Sequence, residues 1–314
     1  MTAYSVQNDT NVQKDKLKQT KSMSDKMRNL IVRTISGVVL LGIVLAAAYG
    51  GKYAYGAFLL LIVVVGMWEF YNIAAATGAT PRRTLGLAAG IVLFVTSFCL
   101  FEGYVDVDAV GNESTVHMLI GGILYFTALI PLCFVVELFF DAETPLRNVA
   151  TTIMGIFYVA YPMSLMLFIP AFITTTWKPE AFLFYLFIVW GNDVFAYLTG
   201  IAFGKHKMAP RISPKKSWEG FFGGIAGALA MGAVGSYVVG GSLGMWLGLA
   251  AVVAITSVFG DLVESMFKRE AGIKDSGKIM PGHGGMLDRF DALLISSPFA
   301  FVYLMVANFL IENI

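Results

Sequence analysis

Apolar residues fall along this chain in long blocks separated by short polar segments, and the block length matches a lipid bilayer. A helix needs about 20 apolar residues to cross a hydrocarbon core of about 30 Å. Nine blocks meet that need: Leu30–Tyr49, Tyr53–Ala76, Leu85–Phe101, Met118–Phe140, Val149–Ile169, Ala181–Phe203, Trp218–Val239, Leu243–Phe267 and Ala292–Ile311. Turn-forming pairs such as Gly50-Gly51, Thr80-Pro81, Thr144-Pro145 and Gly240-Gly241 lie between them. The pattern predicts an all-α integral membrane protein with about nine transmembrane helices. The seventh block carries Gly220, Gly223, Gly224, Gly227, Gly232 and Gly235, small residues that let helices approach closely. Three regions follow. Residues 1–29 are a basic polar tail, expected to be disordered; residues 30–179 hold helices one to five. Residues 180–314 hold helices six to nine with two polar loops, and are expected to carry any catalysis.

Composition agrees: 57% of residues are hydrophobic and 14% charged, against about 25% charged in soluble domains. The net charge of +1 gives no basic surplus for nucleic acid. Cys99 and Cys133 sit inside apolar blocks, which speaks against a disulfide framework or a zinc site. The first apolar block is longer than a signal-peptide core, so no cleavable signal is expected.

Charge placement changes the picture more than charge sum. With the N-terminus in the cytoplasm, 20 of the 22 lysines and arginines fall in inner segments, and only Lys52 and Lys178 face outward. Cytoplasmic loops are enriched in these residues. The expected arrangement is multi-pass in the cytoplasmic (inner) membrane, N-terminus cytoplasmic, C-terminus outside, working face toward the cytoplasm.

Five acids lie within the blocks: Glu69, Glu137, Asp193, Asp261 and Glu264. Ionisable residues in a membrane are costly and tend to mark function. Asp261 and Asp193 lack a basic residue one turn away and are the stronger functional candidates. Glu264 also reads as an i,i+4 ion pair with Lys268. Glu69 and Glu137, near block ends, read better as structural partners. Asp193 stands about 15 Å along its helix from Phe203, so a polar cavity open to the cytoplasm is expected.

Two cytoplasmic loops carry phosphate chemistry. Between blocks six and seven, Ser217 is placed to cap the next helix. The free N–H groups there, beside Lys215 and Lys216, suit a phosphate, although a plain basic loop would look the same. After block eight, Pro281-Gly282-His283-Gly284-Gly285 implies a tight turn with exposed N–H groups. Around it Asp275, Asp288 and Asp291 alternate with Lys268, Arg269, Lys274, Lys278 and Arg289. Mixed signs in one loop suit a divalent metal and a polyphosphate. His283 fits a general base, a phosphate donor or a structural hydrogen bonder, with a turn or phosphate role favoured.

These residues resemble a known family. Gly260 to Arg269, Lys274-Asp275, Pro281 to Gly285 and Asp288-Arg289-Phe290-Asp291 look like the C-terminal signature of the phosphatidate cytidylyltransferase (CDP-diacylglycerol synthase) family. Ser213-Pro214-Lys215-Lys216-Ser217-Trp218-Glu219-Gly220 resembles its second motif, and Asn192-Asp193 with Ala196-Tyr197 fits the segment before it. The match covers about residues 190–291. It implies a magnesium-dependent nucleotidyltransferase of phospholipid biosynthesis that turns CTP and phosphatidic acid into CDP-diacylglycerol and pyrophosphate. A potassium ion and a homodimer are also implied. By the same resemblance Asp261 and Asp288 are metal ligands, with Asp193 a further candidate, and Asp261, Asp288 and Lys216 form the catalytic group. Substrate binding falls to Ser213, Lys215, Lys216, Ser217, Lys268, Arg269, Lys274, Asp275, His283, Gly284, Gly285 and Arg289. A CTP-dependent polyprenol kinase is the nearest alternative, disfavoured by the complete loop signature. An ion-coupled transporter is another, disfavoured because the blocks show no clear internal repeat.

Overall fold

The computed structural model describes residues 31–105, 112–140, 142–174, 176–282 and 284–312, together with Met27. The tail expected over residues 1–29, apart from Met27, and His283 lie outside the described residues. Among the described residues nine helices are long and apolar enough to cross a membrane. They are α1 (Ile31–Tyr49), α2 (Gly51–Ala76), α3 (Arg83–Val105), α4 (Asn112–Leu138), α5 (Pro145–Thr174), α6 (Pro179–Phe203), α7 (Trp218–Val239), α8 (Leu243–Glu270) and α9 (Leu287–Glu312). The chain is a multi-span membrane protein, and each apolar block has become one helix.

Helix ends depart from the hydropathy pattern where polar residues are helical. Helix α8 runs past Phe267 to Glu270, so Lys268 and Arg269 sit in its last turn. Helix α9 starts at Leu287, ahead of the apolar block, and takes Asp288, Arg289 and Asp291 out of the loop. The segment between α6 and α7 is an ordered hairpin rather than a plain loop: β1 (Lys207–Ala209) pairs antiparallel with β2 (Ser213–Ser217), with Lys207 opposite Ser217 and Ala209 opposite Ser213.

Helix α5 is irregular for identifiable reasons. It widens into a π turn over Ile156–Ala160 and contains Pro162 and Pro170. Proline has no N–H, so the carbonyl four residues earlier loses its helical partner. In hydrocarbon such a group needs another donor. Pro170 leaves the Met166 carbonyl without its usual partner, and the Tyr55 hydroxyl of α2 donates to it at 2.6 Å. From α9, Ser297 Oγ donates to the Pro162 carbonyl at 3.0 Å and Asn308 Nδ2 to the Phe172 carbonyl at 2.9 Å. These bonds fasten α5 to both ends of the sequence.

One apolar cluster joins the N-terminal and C-terminal helices. Tyr55 and Met67 of α2, Met163 of α5, Tyr185 of α6, Trp246 of α8 and Leu294 of α9 are all buried in it. The outward faces are apolar and exposed, as at Ile35, Val38, Val302 and Met305, which suits lipid. Two close helix contacts shape the site. A Cβ at Gly224 would stand 2.9 Å from the Asn192 carbonyl oxygen, so α6 and α7 meet backbone to backbone. A Cβ at Gly260 would stand 2.5 Å from the Asp291 carbonyl oxygen and 3.0 Å from Ala292 Cα, which brings α8 and α9 together beside Asp261.

Candidate active site

The helix ends and the hairpin enclose a cleft of about 820 Å³. Its apolar lining comes from Tyr197 and Ile201 of α6, Phe221 of α7 and Val258 of α8. Its ionic lining comes from Asp261 and Lys268 of α8 and Asp288, Arg289 and Asp291 of α9. Lys207, Ser213, Lys215, Lys216 and Ser217 of the hairpin and Asp193 of α6 also line it.

Local chemistry holds the hairpin in place. Ser217 Oγ accepts the Gly220 N–H at 3.2 Å and caps α7. The Glu219 carboxylate accepts the backbone N–H groups of Lys205 (3.1 Å) and His206 (3.2 Å) and lies 2.6 Å from His206 Nδ1. Thus anchored, Lys216 reaches across to α8: its Nζ is 2.8 Å from Asp261 Oδ2 and donates to the Val258 carbonyl at 3.2 Å.

Below this pair is a buried ionic group. Lys268 Nζ sits 2.7 Å from Glu264 Oε2 and 2.5 Å from Asp288 Oδ1, with all three side chains under 10% exposed. The second oxygen of Asp288 accepts Ser276 N (2.8 Å), Ser276 Oγ (3.0 Å) and Gly285 N (2.8 Å). Asp288 therefore ties the loop after α8 to the start of α9, and the described residues use both its oxygens. The left-handed Gly284, at φ 85°, sits in the same turn.

Glu69 of α2 completes the turn from the other side. It accepts the N–H groups of Met286 (3.0 Å) and Leu287 (2.9 Å) and the Ser276 hydroxyl (3.0 Å). These are the free donors of a helix N-terminus, satisfied by a charge of the favourable sign. The space a Cβ would need at Gly285 is filled by Ser276 Oγ and the Glu69 carboxylate. Glu137 has a comparable structural place, 2.5 Å from Arg82 Nε and accepting Asn148 Nδ2 at 2.8 Å.

Three carboxylates converge without such full commitment. Oxygens of Asp261, Glu264 and Asp291 lie within 4.8 Å of one another. Ser265 Oγ donates to Asp261 Oδ1 at 3.2 Å, and Ala292 N donates to Asp291 Oδ1 at 2.7 Å. Glu264 is fully buried, yet its Oε1 has no hydrogen-bond partner among the described residues. Three anions so close, with an orphaned acceptor among them, fit a cation better than they fit each other. The cluster is suited to holding a metal ion.

The other residues singled out in the sequence divide between places. Asp193 lines the cleft. Arg269 turns back, its Nη1 3.3 Å from the Ile273 carbonyl, and does not line the cleft. Lys274 and Gly284 line a neighbouring pocket; Asp275 and Arg289 line both.

The sequence profile of the cytidylyltransferase family matches residues 31–307, almost the whole helical body. The chain belongs to the cytidylyltransferase family. Among its relatives within that family, the phosphatidate cytidylyltransferase of Haemophilus influenzae is 34% identical over 280 residues, covering 85% of this chain and 96% of that protein. The protein of the same name from Synechocystis is 27% identical over 314 residues, covering 90% and 99%. That of Pseudomonas aeruginosa is 49% identical over 114 residues, covering 35% and 42%.

Within this cytidylyltransferase, Asp291 reads by sequence alone as one loop acid among several, and Glu264 as an acid within a span that also pairs with Lys268, as it does. The signal that joins them is a matched spacing. Asp261 with Glu264, and Asp288 with Asp291, are both i,i+3 pairs on helices that touch at Gly260. It emerges only once Leu287 is known to start a helix. Glu69 reads from the sequence as a structural partner, but nothing local marks its partners, which lie more than 200 positions away.

Proposed function

We propose that this chain is a phosphatidate cytidylyltransferase, making CDP-diacylglycerol and pyrophosphate from CTP and phosphatidic acid at the cytoplasmic face of the inner membrane. The observation that carries this reading is the Asp261–Glu264–Asp291 cluster beside Lys216, at a cleft lined by both apolar and ionic side chains. The near-full-length relatives bear that name. Sidedness rests on the basic residues: Lys205, Lys207, Arg211, Lys215 and Lys216 cluster in one connection and Lys268 to Arg289 in another.

The chemistry joins a lipid to a soluble polyanion. An oxygen of the phosphatidate phosphate attacks the α-phosphorus of CTP, the bond to the β-phosphate oxygen breaks, and pyrophosphate leaves with that electron pair. A phosphate monoester has its second pKa near about 6, so the nucleophile is already anionic and no side chain has to take its proton. Phosphoryl transfer of this kind depends on positioning and charge. Tyr197, Ile201 and Phe221 would receive the apolar end of the lipid, while Lys215, Lys207 and Arg289 hold phosphate oxygens. Asp261, Glu264 and Asp291 would hold Mg2+, which when bound neutralises the crowded phosphates. Asp193, which lines the same cleft, would be a further metal ligand, and a K+ ion is part of the same reading. Lys216, paired with Asp261, holds a positive charge between the metal ligands and the hairpin. Lys268 bridges Glu264 and Asp288 and so keeps the turn closed. A homodimer in the membrane is part of the same reading.

The deciding assay uses purified protein, phosphatidate, Mg2+ and CTP labelled at the α-phosphate. Label in the lipid phase with stoichiometric pyrophosphate is the expected result. Release of CDP with an unlabelled, newly phosphorylated lipid would overturn it in favour of a kinase.

A further inference from the structure

A second pocket, of about 570 Å³, adjoins the cleft and shares only Asp275 and Arg289 with it. Its size suits a small ligand. Among the described residues four cations line it, Arg33, Lys274, Lys278 and Arg289, with one carboxylate, Asp275. Met280, Pro281, Gly282 and Gly284 also line it; Met280 N donates to the Gly284 carbonyl at 3.0 Å, with φ of 76° at Gly282 and 85° at Gly284.

Arg33 is the unexpected member. It lies near the start of α1, outside the motif-bearing helices. A Cβ at Gly282 would stand 3.0 Å from Arg33 Cγ and 3.4 Å from Val32 Cγ1, so the first turn of α1 rests against the glycine turn. Among the described residues Arg33, Lys274 and Lys278 form no ion pair. Cations gathered in a concave site repel one another unless an anion joins them, and such a site concentrates anions.

We propose that this pocket is a phosphate-binding site that holds the diphosphate end of the nucleotide and then the departing pyrophosphate, and that Arg33 of α1 is a specificity residue for it. The assignment rests on the activity proposed above. Arg289 is the cation common to pocket and cleft, so a triphosphate chain crossing it would keep its α-phosphorus over the carboxylates and its terminal phosphates beside Arg33 and Lys278. The lining here is mainly polar, whereas the apolar lining needed for lipid belongs to the cleft. The other phosphate bearer within reach is an anionic lipid headgroup, because the outer face of α1 at Ile31 and Ile35 is exposed.

The test uses full-length protein in nanodiscs and the variants Arg33→Gln, Lys278→Gln and Arg33→Lys. Pyrophosphate binding is measured by calorimetry without divalent cation, and the KM values for CTP and phosphatidate are measured with Mg2+. Loss of one charge-assisted contact should weaken pyrophosphate binding and raise the KM for CTP about tenfold. The KM for phosphatidate should stay within about twofold and Arg33→Lys should recover part of the loss. Unchanged pyrophosphate binding with lost stimulation by phosphatidylglycerol in the nanodisc would assign the same phosphate site to a lipid headgroup. Wild-type behaviour of both glutamine variants in both measurements overturns the site. Lys278 lies in an exposed segment, so its variant keeps the test valid if Arg33→Gln fails to fold. Calorimetry needs no turnover, so a wild type that binds pyrophosphate but makes no CDP-diacylglycerol would reject the activity and not the pocket.

Discussion

The carboxylate of Glu69 accepts the backbone N–H of Leu287 at 2.9 Å, across 218 positions of sequence. The second helix thereby caps the ninth and sets where Asp288 and Asp291 begin. Removing the cap leaves the Met286 and Leu287 N–H groups without their acceptor in a buried place. Glu69→Ala should cost about 3 kcal/mol, two or three buried bonds to a charged acceptor. A fall in unfolding midpoint in detergent, larger than that of Glu69→Gln, is the expected reading; an unchanged midpoint would remove Glu69 from this role.

Asp291 and Asp288 should fail differently when each becomes asparagine. Asp291→Asn takes a carboxylate from the Asp261–Glu264 cluster. Turnover should fall by at least about a hundredfold, as for loss of a charge acting on the reacting phosphates, with stability near wild type and a higher Mg2+ requirement. Asp288→Asn breaks the bridge to Lys268 and loosens the Ser276 and Gly285 contacts. It should cost about 3–5 kcal/mol, the range for breaking a buried pair, and added Mg2+ should not restore activity. Magnesium titrations of the two variants, run beside thermal unfolding, separate the roles.

Lys216→Met isolates the hairpin cation. Its pair with Asp261 is partly exposed, 23% and 41%, so stability should change by no more than about 1 kcal/mol. Activity should nevertheless drop by about a hundredfold, because the charge lies beside the proposed reaction centre. Equal losses of stability and activity would make Lys216 a structural strut.

The contact at Gly260 has no room for a methyl group, since backbone atoms of Asp291 and Ala292 occupy the place. Gly260→Ala should destabilise by about 1–3 kcal/mol through overpacking. It should also lower the affinity for Mg2+ by parting Asp261 from Asp291. A variant with wild-type magnesium affinity would count against a metal shared between α8 and α9.

Sidedness has a direct check. A cysteine at position 278, in a background lacking Cys99 and Cys133, should react with an impermeant reagent only from the cytoplasmic side. Labelling from outside would reverse the proposed orientation.

The spans were legible because the bilayer imposes one dominant rule, about 20 apolar residues per crossing, and every block obeyed it. Their ends were harder to read. Asp288, Arg289 and Asp291 look like loop residues by hydropathy, and their helix begins there because of a cap supplied by Glu69. The hairpin was hidden because its strands are short and polar. Asp261 and Glu264 share a helix face by their i,i+3 spacing. The convergence of Asp291 on them depends on a glycine contact between helices, which periodicity within one helix does not encode.

The split origin of the carboxylate cluster has a consequence for synthesis. Asp261 and Glu264 leave the ribosome on the eighth helix, Asp291 on the ninth, and the ninth starts correctly only when it meets the second. A nascent chain with eight helices inserted therefore holds its basic hairpin but lacks Asp291, and its carboxylate cluster is incomplete. On the reading proposed above, the metal site closes only when the last helix docks, and half-assembled molecules in the membrane would be inactive.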